Sequence, residues 1–165
     1  MKRWLFLGLF VLSLPALSAD LTVGLPAPDV EAKLLDSPAQ VRLSANHGKV
    51  TIINFWATWC TPCREEMPAI QTYYDKHKVE GLEILAISMD DTRDIEKVRK
   101  VAQSFTFPIA IKSEADFKRL GRIWRIPSTF VVDKDGILRK NGHVGDPEVT
   151  LPSLESVVTP LLNSR

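Results

Sequence analysis

Cys60 and Cys63 are the residues whose type and spacing most directly indicate chemistry in this chain. They are its only two cysteines and form a C-x-x-C pair, the spacing of a dithiol that closes into a redox disulfide. A structural disulfide is an alternative, although a bridge across so short a loop removes little entropy from the unfolded chain. Zinc would need two further ligands, and His47, His77 and His143 offer no matching pair.

A Cu(I) site is the alternative from a different functional class, because soft thiolates select that ion. In this hypothesis the thiolates of Cys60 and Cys63 form a two-coordinate copper site, with or without His143 as a further ligand, and the chain is a copper chaperone. Dithiol chemistry needs no metal and no organic cofactor, because the cysteines themselves carry the electron pair. The favoured hypothesis therefore predicts no cofactor.

The elements around the cysteines indicate how they are positioned. Residues 50–55 are apolar and β-branched nearly throughout, which predicts a buried central strand. Apolar residues at spacings of three and four predict a helix over residues 60–79, which Pro68 should bend. The positive end of this helix favours a thiolate on Cys60, and Cys63, in the first turn, is expected to be more buried and to resolve a mixed disulfide.

The remaining patterns predict an α/β domain with a strand–helix–strand crossover. The predicted strands cover residues 30–34, 41–43, 83–88, 108–111, 129–133 and 137–140, and the predicted helices cover residues 92–105, 115–120 and 151–162. The 165 residues are 45% hydrophobic and 25% charged, which fits one globular domain. With 21 basic and 20 acidic residues, no large basic surface and no nucleic-acid partner are expected.

The N-terminal residues resemble a secretory signal. Lys2 and Arg3 precede an apolar run over residues 4–14, and small residues follow up to Ala19. This pattern predicts a signal peptide over residues 1–19, a domain over residues 20–165 and a periplasmic location. The alternative is an uncleaved N-terminal anchor.

Residues 54–68, NFWATWCTPCREEMP, closely resemble the active-site segment of the thioredoxin superfamily in its TlpA/ResA-like branch of extracytoplasmic thiol-disulfide oxidoreductases. Residues 24–29, GLPAPD, resemble the opening segment of that branch, and residues 126–136, IPSTFVVDKDG, its cis-proline strand and hairpin. The resemblance covers nearly all of residues 22–162. It implies a thioredoxin-like three-layer fold, with a central mixed sheet flanked by helices and an N-terminal extended or hairpin extension.

The resemblance also implies roles for individual residues. Glu66 stands where ResA-like members carry an acidic residue, and it could exchange protons with Cys63 if burial raises its pKa. The alternative is a solvated helix carboxylate. Pro127 is implied to be the cis-proline that binds substrate backbone, with Ile126 as its neighbour; the alternative is an ordinary trans proline.

Residues beside the cysteines complete the implied substrate-binding set. Trp59 precedes Cys60, and Pro62 lies between the two cysteines. Trp59 and Trp56 are expected to cover the sulfur pair; the alternative for either is an ordinary place in the core. The chain departs from the family where Arg125 replaces a frequent glycine, which leaves the shape of that loop open. No proline precedes Thr58 at the distance that a peroxidatic Pro-x-x-x-Thr-x-x-Cys motif requires, so a peroxiredoxin is a weaker fit.

The implied function is a periplasmic dithiol-disulfide oxidoreductase that reduces protein disulfides. One implied substrate is the C-x-x-C-H pair of apocytochrome c before haem attachment, in cytochrome c biogenesis, with electrons drawn from a membrane thiol donor. A monomer is expected, because such a carrier docks alternately with donor and acceptor. The alternative within the same fold is a disulfide oxidant or isomerase.

Overall fold

A seven-stranded mixed sheet organises the computed structural model, which describes residues 21–164. The predicted signal peptide lies outside the described residues. The strand order is β2-β1-β5-β4-β3-β6-β7. The strands are β1 (Glu31–Leu34), β2 (Gln40–Arg42), β3 (Val50–Trp56), β4 (Leu82–Ser88), β5 (Ile109–Asp116), β6 (Ser128–Val132) and β7 (Leu138–Lys140). The helices are α1 (Thr61–His77), α2 (Ile95–Ala102), α3 (Leu151–Val157) and α4 (Thr159–Asn163).

Strand β3 is the centre of the sheet. It pairs in parallel with β4 from Val50 to Trp56 and antiparallel with β6 from Thr51 to Phe55. All seven of its residues are buried, as the apolar, β-branched run predicts. Hydrogen bonds on both edges and cover on both faces fix the point at which the chain leaves β3 for the cysteines.

The two faces of the sheet are covered differently. Val50, Ile52 and Trp56 of β3 pack in one cluster with buried residues from all four helices. Ile53 and Phe55 point to the opposite face, where the cover comes from the N-terminal segment and from the chain between β5 and β6, including Leu120. Within the described part of the chain, no helix has the length and apolar character that crossing a bilayer demands.

The helix predicted over residues 115–120 is wrong. Strand β5 continues to Asp116, because Ala115 and Asp116 pair with Ala32 and Glu31 of β1, and strand pairing outweighs the local helical pattern. Only one 3-10 turn, Lys118–Leu120, follows.

Two further helices are shorter than predicted. The segment over residues 92–105 begins as a 3-10 turn and is α-helical only in α2. The C-terminal segment is divided at Val158 into α3 and α4, with Pro160 in the first turn of α4, where its missing N–H has no helical partner to lose.

The β6–β7 turn is organised by one buried carboxylate. Asp133 accepts hydrogen bonds from the backbone N–H groups of Asp135 (3.0 Å) and Ile137 (2.9 Å) and from Arg139 Nε (2.5 Å). Burial alone raises the pKa of Asp133, but these hydrogen bonds outweigh burial and hold the pKa below its ordinary value of 3.8. The carboxylate thus stabilises the hairpin that follows the Ile126–Pro127 segment.

Replacing this carboxylate tests its contribution. In Asp133→Asn the amide nitrogen faces Arg139 Nε, two donors without an acceptor, so the free energy of unfolding at pH 7 should fall by about 1–3 kcal/mol. Because the folded pKa lies below the unfolded one, the wild-type advantage is complete above pH 3.8 and is lost as the pH falls further. Urea unfolding across pH measures both effects. Asp135→Asn, an exposed carboxylate in the same turn, is the control; an equal loss there contradicts the assignment.

Candidate active site

Cys60 and Cys63 form a disulfide at the start of α1. Cys60 is the N-cap residue, and its sulfur accepts a hydrogen bond from the backbone N–H of Cys63 at 3.3 Å. Pro62 lies in the first turn, where a proline is compatible with the helix. Cys60 is 5% exposed and Cys63 is fully buried, so Cys60 is the sulfur that an approaching molecule meets first.

An apolar groove includes Trp59, the residue before Cys60. It has a volume of about 410 Å³ and is lined by Trp59, Met89 and residues 123–126. Trp59 is 67% exposed and Trp124 is 63% exposed, whereas Trp56 is buried in the same cluster as the cysteines. Of the two tryptophans expected to cover the sulfur pair, only Trp56 is enclosed, and Trp59 forms part of a surface that is open to solvent.

The segment before β6 forms the other side of the groove. The Ile126–Pro127 peptide bond is cis, with Pro127 buried and Ile126 half-buried. Arg125, at the position where the family frequently has glycine, donates to the carbonyls of Gly142 (3.2 Å) and Gly145 (3.1 Å). The guanidinium therefore ties this loop to the chain after β7.

Glu66 is buried and belongs to a hydrogen-bonded group that connects α1 with β3 and β6. Its carboxylate is held by Asn54 Nδ2 (2.8 Å) and by the backbone N–H of Val149 (2.9 Å), and Asn54 Nδ2 also donates to Thr129 Oγ1 (3.0 Å). Glu66 is 5% exposed, which is incompatible with the alternative of a solvated helix carboxylate.

The environment of Glu66 favours its protonated form. Burial raises its pKa from 4.5 to about 7, against the opposing hydrogen bonds from Val149 and Asn54. The charge of Glu148 raises the pKa further, and the charge of Lys140 lowers it. The carboxyl therefore titrates near neutral pH.

Two buried polar residues of this region were missed from the sequence. Asn54 interrupts the apolar run of β3, and that interruption is the signal that could have indicated it. Asp90 follows β4 and contacts Thr58, two residues before Cys60. An acidic residue just after a buried strand is common in surface loops, so nothing local distinguishes it.

Within the described part of the chain, His143 does not lie beside the cysteines as a further copper ligand. His143 Nε2 lies 2.7 Å from the carbonyl of Leu120, and its ring packs edge-on against Phe130 on the opposite face of the sheet. Across residues 21–164, no three His, Cys, Asp or Glu side chains come together in a group that could hold a metal ion.

Comparisons with known proteins agree on one family and one fold. Residues 23–141 match the AhpC/TSA family. The chain is 36% identical over 117 residues to a thiol-disulfide oxidoreductase ResA from Oceanobacillus iheyensis, a match covering 69% of this chain and 61% of that protein.

Two solved structures from Chlorobium tepidum share the fold. One is titled a putative thiol:disulfide interchange protein DsbE, with a TM-score of 0.71, 27% identity and coverage of 86% of this chain and 99% of that one. The other is titled a thiol:disulfide interchange protein of the thioredoxin family, with a TM-score of 0.70, 22% identity and coverage of 84% and 96%. The predicted thioredoxin-like fold is confirmed.

The buried position of Glu66 has a measurable effect on stability. Because its folded pKa of about 7 exceeds the ordinary 4.5, the folded protein binds the proton more tightly than the unfolded chain. The free energy of unfolding of the oxidised wild type, relative to Glu66→Gln, should therefore fall as the pH rises from about 4.5 to about 7, and then level off. Urea unfolding at several pH values measures this difference.

Glu65→Gln is the matched control, because Glu65 is the neighbouring carboxylate on α1 and is exposed. Its stability curve should run parallel to that of the wild type across the same pH range. Parallel curves for Glu66→Gln and the wild type would contradict the assignment.

Proposed function

The chain belongs to the AhpC/TSA family, and we propose that it is a dithiol-disulfide oxidoreductase whose redox couple is Cys60–Cys63. The observation that carries the proposal is the paired placement of the two cysteines at the N-terminus of α1, with Cys60 slightly exposed and Cys63 fully buried. Similarity to ResA supports this activity rather than peroxide reduction, and the chain lacks the peroxidatic motif.

The reaction proceeds through two thiol-disulfide exchanges. The Cys60 thiolate attacks a partner disulfide, forms a mixed disulfide and releases the first partner thiolate. Cys63 then attacks the Cys60 sulfur, which closes the Cys60–Cys63 disulfide and releases the second partner thiolate. Two electrons pass to the partner, and a separate thiol donor must reduce the disulfide before another cycle.

Glu66 is proposed to exchange a proton with Cys63. The Cys63 thiol is buried, so it needs a nearby base before it can attack the mixed disulfide. Glu66 lies three residues further along α1, and a pKa of about 7 lets its carboxyl take and return a proton near neutral pH.

The groove is proposed to receive the polypeptide around the partner disulfide. Trp59 and Ile126 supply apolar surface. Pro62 lies between the two cysteines, and Pro127 follows Ile126 through the cis peptide bond. An extended segment placed along the backbone at Pro127 would present its disulfide to Cys60. The proposed substrates are therefore protein disulfides with apolar neighbours, and the couple itself requires no added cofactor.

The direction and setting of the reaction complete the proposal. The predicted signal peptide and the ResA similarity support a periplasmic location, where a reductant requires an outside supply of electrons. We propose that a membrane thiol donor supplies these electrons to a monomeric carrier. The C-x-x-C-H pair of apocytochrome c is the proposed substrate, which places the chain in cytochrome c biogenesis.

Single-cysteine variants test the order of attack. With a disulfide-containing protein substrate, Cys63→Ser should accumulate a mixed disulfide on Cys60, because the first exchange proceeds and the resolving thiol is absent. Cys60→Ser should lose disulfide reduction, and mass spectrometry should find no adduct on Cys63. A Cys60→Ser protein that reduced the substrate at the wild-type rate would overturn the mechanism.

The reduction potential of the Cys60–Cys63 couple tests the proposed direction of electron flow. Equilibration with defined thiol buffers and trapping of free thiols should give a value near or below about −270 mV, the level of thioredoxin. A value of about −120 mV would contradict the proposal that the protein is a reductant and would identify it as an oxidant. Stoichiometric Cu(I) binding without any disulfide turnover contradicts the oxidoreductase altogether.

A further inference from the structure

Asp90 is a buried carboxylate for which the proposed reaction has no use. It is 2% exposed and lies two residues after the end of β4. Its Oδ2 accepts from the backbone N–H of Thr58 (2.9 Å) and from Ser88 Oγ (2.7 Å), while its Oδ1 accepts from Thr58 Oγ1 (2.7 Å). Three donors satisfy both carboxylate oxygens, so the side chain is fixed in one position.

These contacts brace the turn that delivers Cys60 to α1. The backbone N–H of Cys60 donates to the carbonyl of Ala57 at 3.1 Å, which closes the turn, and Thr58 lies inside it. Asp90 holds that residue through both its backbone and its side chain. The end of β4 therefore fixes where the Cys60 sulfur stands at the N-terminus of α1.

The charge of Asp90 is weakly compensated by its surroundings. Among residues 21–164 it forms no ion pair; Lys97 of α2 lies within range of its charge but is itself bound to Asp94. Its hydrogen-bond donors are a backbone amide and two hydroxyl groups, all of them neutral. A negative charge next to the cysteine turn opposes the helix dipole, which favours a thiolate.

We propose that Asp90 is a positioning residue for Cys60: it braces the Cys60 turn, and its charge disfavours the Cys60 thiolate, which keeps the couple reducing. A destabilised thiolate makes the reduced form less stable and so lowers the potential of the disulfide. This inference rests on the proposed function, in which Cys60 is the attacking thiol.

Asp90→Asn separates the charge from the brace. The amide oxygen can still accept from Thr58 N and Ser88 Oγ, and the amide nitrogen can donate to Thr58 Oγ1, which accepts as well as donates. The turn is kept while the charge is removed. Asp90→Ser, also without charge, is the second variant if the asparagine protein does not fold, and thermal unfolding checks both.

The measurement is the rate of Cys60 alkylation against pH in the reduced protein, read at that residue by mass spectrometry. Removing the charge should lower the pKa of the Cys60 thiol by about one unit. The equilibrium with glutathione should shift toward the reduced protein by up to about tenfold, which corresponds to about 30 mV for a two-electron couple. The charged side chains that follow Cys63 on α1, Arg64, Glu65 and Glu66, and Arg125 in the groove are the same in every variant.

Asp91→Asn is the matched control, because it removes the neighbouring carboxylate, which is exposed and paired with Lys112. It should leave both the alkylation profile and the potential as in the wild type. A folded Asp90→Asn or Asp90→Ser protein with an unchanged Cys60 pKa overturns the inference, and so does an equal shift in Asp91→Asn.

Disulfide turnover by the wild type separates this inference from the proposed function. Alkylation of Cys60 needs no protein substrate, so it reports the effect of Asp90 on the Cys60 thiol even if the protein reduces none of the tested disulfides. Absence of turnover in the wild type counts against the proposed function and leaves the role of Asp90 to be decided by the alkylation profile.

Discussion

The site depends on the confinement of β3. This strand is paired along both edges and covered on both faces, so it cannot shift in register without moving buried side chains to the wrong face. The chain leaves it at Trp56, and within four residues it reaches Cys60. The positions of the sulfurs, the groove and the buried carboxyls are all set relative to that fixed end.

Confinement also supports the roles proposed for two acidic residues of this region. Glu66 and Asp90 lie on different elements, yet both are nearly inaccessible to water and both are held by neutral donors. Charges in such surroundings interact more strongly than they do in solvent. The same packing that positions the disulfide therefore strengthens the electrostatic influence that we propose for Glu66 and Asp90 on the two thiols.

Much of this arrangement could be predicted from the sequence, because its signals are local. The run over β3, the periodicity of α1 and the C-x-x-C pair each follow from a few adjacent residues, and all three agree with the structure. The failures involve distant partners. Nothing near Ala115 shows that β1 will pair with it, and nothing near Glu66 shows that Val149 will cover it.

Residue types with two ordinary environments were also hard to place. A tryptophan beside an active cysteine suits a cover or a docking surface equally well, and only the fold shows Trp56 enclosed and Trp59 exposed. The environment of Asp90 is harder still to predict, because its hydrogen-bond partner Thr58 lies 32 residues earlier in the chain.

The antiparallel pairing of β3 with β6 has a consequence for the newly made chain. Asn54 and Thr129 are 75 residues apart, and contacts of such separation form slowly because a long loop must first close. The two cysteines, only three positions apart, can meet at once. Their sulfurs can therefore form the disulfide while the strands that will enclose them are still unpaired.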